Sequence, residues 1–128
     1  VNNILLVVLV AVAGGIGAVI RFLIDKWITG RIAQKFPWGI FIVNATGSFA
    51  LGAVVGFLSG PIALILGTGL LGGYTTFSTA SIDAFKLIGA KDFSRAATYA
   101  LGMLVTCMVA AMLGTIVGLG IGMAAGLA

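Results

Sequence analysis

Gly72-Gly73-Tyr74-Thr75-Thr76-Phe77-Ser78-Thr79 is the stretch on which the reading of this chain turns, and it interrupts an apolar run from Ile62 to about Ile82. Two adjacent glycines, followed by four Ser/Thr residues in six positions, make a poor helix in hydrocarbon. A membrane helix breaks only where the freed backbone is buried in protein or lines a cavity. The stretch therefore predicts a span that is helical at both ends and broken near residues 72–76. Carbonyls exposed at such a break coordinate cations, and exposed N–H groups attract anions. The bland alternative is a hydroxyl bonded back to the carbonyl four residues earlier.

Outward from that stretch, the chain is apolar throughout. Of 128 residues, 61% are hydrophobic and 8% charged, and the mean hydropathy is +1.26. Soluble domains carry about 25% charged residues, so this chain cannot dress a water-facing surface. A soluble enzyme and a nucleic-acid module are both excluded. Histidine and glutamate are absent, and Cys107 is the single cysteine. A His/Cys metal site, an intrachain disulfide and a His-assisted nucleophile all lack their parts. The 20 glycines sit inside apolar runs, as in closely packed membrane helices. The net charge of +4 comes from seven Lys/Arg and three Asp. These residues read as topology signals or as an attractive field for small anions.

A hydrocarbon core about 30 Å thick needs about 20 apolar residues per helix. Four spans follow: about 4–24, 39–58, 62–82 and 96–120. The first has no positively charged segment before it and reads as a retained helix rather than a signal peptide. Asp25 to Lys35 reads as a short polar connection, Ser59-Gly60-Pro61 as a turn, and Gly89 to Arg95 as the last connection. The whole chain, 1–128, is one all-α membrane domain. Gly52 and Gly56, and Gly114, Gly118, Gly122 and Gly126, recur every four residues. They read either as close packing within one subunit or as a dimer face. A protein this small encloses little alone, so a path or binding site calls for a second subunit.

Polar residues inside the spans are few. Asn44 stands alone after Phe41-Ile42-Val43, as an interhelical hydrogen bond or as a donor to a passing anion. Phe77 sits within the polar run of the third span, where the positive edge of its ring suits a partly dehydrated anion. Arg21 either snorkels to the interface or supplies a vestibule charge that concentrates anions. Asp83 and Lys86 are spaced to pair on a helix, and Cys107 reads as a small core residue.

Three segments carry a family resemblance. Gly14-Gly15-Ile16-Gly17-Ala18-Val19-Ile20-Arg21, then Pro37-Trp38-Gly39 through Val43-Asn44 and Gly47-Ser48-Phe49, then Gly72 to Thr79, resemble the signatures of the Fluc/CrcB fluoride channel family in order and spacing. The resemblance implies an antiparallel dimer of four-helix subunits, inserted in opposite orientations in a bacterial plasma membrane. It implies passive export of fluoride from the cytoplasm, relieving fluoride toxicity. It places Asn44 and Phe77 in the pore lining, with Ser78 and Thr79 on a polar track; Arg21, from its own position, is taken as a vestibule charge. It also implies a structural sodium ion at the dimer centre, held by backbone carbonyls matching Gly72 and Thr75. Tyr99, Thr106 and Thr115 are the hydroxyls available on the fourth helix, and Thr115 is taken with the pore-lining set. Two positions depart from the family pattern: Ala80 stands where a second Phe is common, and Ile40 where Thr follows Trp-Gly.

Two other functions are open at this point. A small proton-coupled multidrug exporter has the same size, but it needs a membrane carboxylate. This chain has no Glu, and Asp25, Asp83 and Asp92 lie at or near helix ends. A non-conducting subunit that works only with an oppositely oriented paralogue is the other, suggested by Ala80 and Ile40.

Overall fold

The computed structural model of the chain describes residues 2–32 and 35–126, which include four helices long and apolar enough to cross a membrane. They are α1 (Asn3–Arg31), α2 (Trp38–Phe57), α3 (Gly60–Gly89) and α4 (Phe93–Ala124). No water is available in hydrocarbon, so each segment satisfies its backbone internally, and helices are the outcome.

The helices outrun the apolar spans. The turn of the chain expected over Asp25 to Lys35 begins only after Arg31, and Ala33 and Gln34 of that connection lie outside the described residues. Residues 25–29 contain no helix breaker. Thr29 Oγ1 donates to Asp25 Oδ1 at 3.4 Å, Ile28 is buried, and the Arg31 guanidinium lies 4.5 Å from the Trp27 ring centre. Apolarity marks where the membrane ends, not where the helix ends. Likewise α4 begins at Phe93, where Asp92 caps it by accepting from the Arg95 N–H at 3.2 Å. It closes after Ala124 at Gly126, whose φ of +68° suits glycine.

The third span breaks within the expected stretch of residues 72–76, at its last two residues rather than at its glycines. Gly72–Tyr74 is helical, and the extended residues are Thr75 (φ −76°, ψ 157°) and Thr76 (φ −150°, ψ 127°). Ahead of the break, Leu64–Leu71 is wound as a π-helix, a rare form that recurs at functional sites. The second glycine of the pair, Gly73, serves packing instead. A Cβ on Gly73 would run into the Gly14 carbonyl, and one on Gly17 into the Leu70 carbonyl. Glycine thus brings α1 and the first half of α3 into backbone contact.

The same device joins α2 to α4. A Cβ on Gly52 or Gly56 would collide with the carbonyls of Ala111 or Thr115, and one on Gly114 or Gly118 with those of Phe49 or Ala53. Association in lipid rests on such close packing rather than on a hydrophobic drive. The four-residue glycine stripe is therefore packing within the subunit from Gly114 to Gly122, and Gly126 lies past the helix. The side-chain core sits at one end, where Ile40, Leu87, Ala96, Tyr99 and Met103 pack together, flanked by Phe36 and Phe41. Most other large apolar side chains point outward, as a lipid-facing surface requires.

Candidate functional site

The break in α3 is held from two sides. From α2, the Asn44 amide clamps both backbone polar groups of Thr76: Nδ2 donates to the Thr76 carbonyl at 2.8 Å, and the Thr76 N–H donates to Oδ1 at 2.8 Å. Nδ2 also approaches Met103 Sδ of α4 at 3.2 Å. From α1, Arg21 Nη1 reaches the Thr75 carbonyl at 3.5 Å. Arg21 is half-buried and points at the break, so it does not simply snorkel away from it.

Thr76 then starts the second half of α3. Its Oγ1 accepts from the Thr79 N–H at 3.2 Å, an N-cap, and donates to Thr79 Oγ1 at 3.2 Å. Ser78 Oγ lies 3.3 Å from the same hydroxyl. The hydroxyls of Thr76, Ser78 and Thr79 thus form one cluster at a helix N-terminus, where the backbone dipole is positive. Thr75, in contrast, bonds back to the Leu71 carbonyl at 2.9 Å, and Ser81 to the Phe77 carbonyl at 2.9 Å. For those two the bland reading holds.

Beside the break, α2, the second half of α3 and α4 enclose a groove of about 500 Å³, lined by Asn44, Ser48, Thr76, Phe77, Tyr99 and Met103 among others. The Phe77 ring is 87% exposed, so nothing within the subunit uses it for packing. Tyr99 is only 1% exposed, yet its hydroxyl has no hydrogen-bond partner among the described residues. A buried, unpaired donor is costly and rare.

The structure brings Asn44, Phe77, Ser78 and Thr79 together with Arg21, Gly72 and Thr75 around the break. Thr115 is not among them. Its hydroxyl bonds back to the Ala111 carbonyl at 2.9 Å, and it packs beside Gly52 and Gly56. It sits some 18 Å along α4 from Met103, at 1.5 Å per residue. Two residues carry more of the site than their sequence reading suggests. Thr76 is its hub, signalled by a Thr placed three residues before Thr79 at a helix start. Tyr99 is the other, signalled only by being a lone polar ring between Thr98 and Ala100 in an apolar helix. Asp25 and Asp83 stand together in a separate small polar pocket near Lys35 and Trp38, away from the groove. Asp83 is 3.8 Å from Lys86.

Residues 8–115 match the protein family described as "CrcB-like protein, Camphor Resistance (CrcB)". The chain is 43% identical over 115 residues to "Fluoride-specific ion channel FluC 1" of Leifsonia xyli, covering 86% of this chain and 84% of that protein. It is 38% identical over 111 residues to "Fluoride-specific ion channel FluC" of Thermus thermophilus, covering 83% and 87%. A third relative, the protein of the same name in Chloroflexus aurantiacus, is 38% identical over 125 residues, covering 93% and 95%.

Proposed function

The chain belongs to the CrcB-like family, and from that membership we propose that it is a subunit of a fluoride-specific channel that lets fluoride leave the cytoplasm passively. The observation that carries this reading is the elbow at Thr75–Thr76, which sets an exposed Phe77 ring beside Asn44, Ser48 and Thr76 on one groove. Fluoride is small and strongly hydrated. Entering a membrane path, it exchanges water for donors. Here those donors are neutral: ring edges, hydroxyls and the N-terminus of the second half of α3. None is a full charge that would hold the ion too tightly to release it. Arg21 concentrates anions at the approach. A multidrug exchanger would need a carboxylate on the path, and the groove contains none.

A second copy of the chain, inserted in the opposite orientation, is the natural complement of this half-open groove. Phe77 faces outward from the subunit, so a neighbouring helix is needed to close the path around it. The same pairing would complete a sodium site. Among the described residues there is no cluster of His, Cys, Asp or Glu for a metal, but neutral carbonyl oxygens suit a hard monovalent cation. The Gly72 and Thr75 carbonyls stand at the break, and Thr75's is met only by a long contact from Arg21. The residues fit as half a site. Gly72 and Thr75 would hold the ion together with their symmetry mates, and the ion would tie the two breaks together.

Expression in bacteria lacking their own fluoride exporter tests the reading. The chain should restore growth in fluoride medium, and Phe77→Ile should not. Growth restored equally by both would remove Phe77 from the path.

A further inference from the structure

A gap in a helix leaves backbone groups that the ladder no longer pairs. The two carbonyls at this gap are treated differently. Thr75's has Arg21 Nη1 at 3.5 Å, a long contact for N–H···O. Thr76's is buried and held by Asn44 Nδ2 at 2.8 Å, while Asn44 Oδ1 takes the Thr76 N–H at 2.8 Å. A primary amide has two N–H donors. Asn44 directs Nδ2 at the Thr76 carbonyl and at Met103 Sδ, 3.2 Å away, so its donors have acceptors inside the subunit.

We infer that Asn44 is a specificity-determining positioning residue: it covers the Thr76 carbonyl and fixes the direction of Phe77, rather than binding the anion itself. The inference rests on the fluoride-channel reading. A carbonyl oxygen beside an anion path repels fluoride and attracts sodium or potassium, whose usual ligands are such oxygens. Ring edges and hydroxyls serve an anion only when that acceptor is covered. Asn44 is the side chain that covers it, from a buried position on another helix. Because Thr76 is both clamped by Asn44 and the cap of the following helix, the clamp also sets where that helix starts, and Phe77 is its first residue.

The test compares wild type with Asn44→Ala and Asn44→Asp, purified and reconstituted, by two readouts. One is the reversal potential in planar bilayers under a sodium fluoride gradient. The other is amide hydrogen exchange at Thr76 and Phe77 in fluoride-free detergent, relative to intrinsic rates. With Asn44→Ala, fluoride flux should fall by about tenfold or more, the reversal potential should move toward sodium, and Thr76 should exchange about tenfold faster with no fluoride present. Asn44→Asp matches the amide in shape and guards against a misfolded Ala variant. Protonated, its carboxyl donates to the Thr76 carbonyl and accepts from the Thr76 N–H; ionised, it still accepts from the Thr76 N–H but has no donor for the carbonyl. Thr76 protection in this variant should therefore persist at both pH values, while fluoride-over-sodium selectivity should be lost at neutral pH and return in acid. Lost fluoride flux with unchanged Thr76 protection and unchanged fluoride-over-sodium selectivity would overturn the inference and make Asn44 a direct ligand. A wild type that passes no fluoride would overturn the channel reading and the selectivity role with it, while Thr76 exchange still decides the clamp.

Discussion

Phe77 and Tyr99 stand in opposite relations to the fold: the Phe77 ring is exposed, while the Tyr99 ring belongs to the core. Phe77 packs on little within the subunit, and Tyr99 buries a hydroxyl without a partner. Removing an unpaired buried hydroxyl is neutral or stabilising, by up to about 1–3 kcal/mol. Tyr99→Phe should thus unfold no earlier than wild type, and Phe77→Ile should assemble normally. Phe77→Ile should slow fluoride flux by about tenfold or more, at least ~1.4 kcal/mol of barrier, whereas Tyr99→Phe, whose lost hydroxyl is shut inside the core, should not. Fluoride-electrode flux and thermal unfolding of the same preparations check this pair of expectations. Full flux in Phe77→Ile would remove the groove from the path. Asn44, Phe77 and Arg21 could be picked from the sequence because each is chemically conspicuous in an apolar run. What Asn44 bonds could not be picked, since its partner is the backbone of a residue 32 positions away. Thr115 shows the converse limit of such a reading. A hydroxyl in a span signals polarity equally whether it lines a path or bonds back to its own helix, and it does the latter.

At the scale of elements, the broken third span was legible and its mechanism was not. Hydroxyl density after Gly72-Gly73 announced an interruption near residues 72–76, but not which of those residues would leave the helix. The extended residues are Thr75 and Thr76, and the glycines are helical. Whether a glycine serves flexibility or close approach depends on what lies opposite, and that is a tertiary fact. Gly118 and Gly120 make the distinction measurable within one helix. A Cβ on Gly118 would meet the Ala53 carbonyl, whereas Gly120 has nothing within 4 Å. Gly118→Ala should cost about 1–3 kcal/mol by forcing α2 and α4 apart. Gly120→Ala should be neutral, or stabilise by up to about 1 kcal/mol through helix propensity. Thermal unfolding in detergent of the two single variants reads the contrast. Equal effects would mean that α2 and α4 do not meet as described.

Across the whole molecule, charge is segregated to one end. Lys26, Arg31, Lys35, Lys86, Lys91 and Arg95 lie at the ends of α1 and α3 and the starts of α2 and α4. Residues 2 and 3, the turn at Ser59-Gly60, and residues 124–126 carry no charge at the other end. Short loops rich in Lys and Arg stay cytoplasmic. In cells the chain should therefore prefer the orientation with both termini outside, which opposes the equal insertion that an antiparallel homodimer needs. Single cysteines placed in the Gly89–Arg95 loop, in a Cys107→Ser background, should resist labelling from outside intact cells. Labelling of about half of them would establish dual insertion and remove the need for an oppositely oriented paralogue. The four-helix plan and the charged end could be read from composition and spacing alone. The groove could not, because α2, α3 and α4 form it together from positions far apart in the chain.

Fluoride should cross through this membrane protein without proton coupling. Liposomes containing the purified chain, loaded with potassium fluoride and supplied with a potassium ionophore, address it in one measurement. With equal pH on both sides, fluoride should escape rapidly, and chloride-loaded vesicles should retain their ion. Fluoride retained until a pH gradient is imposed, or chloride released as fast as fluoride, would contradict the account.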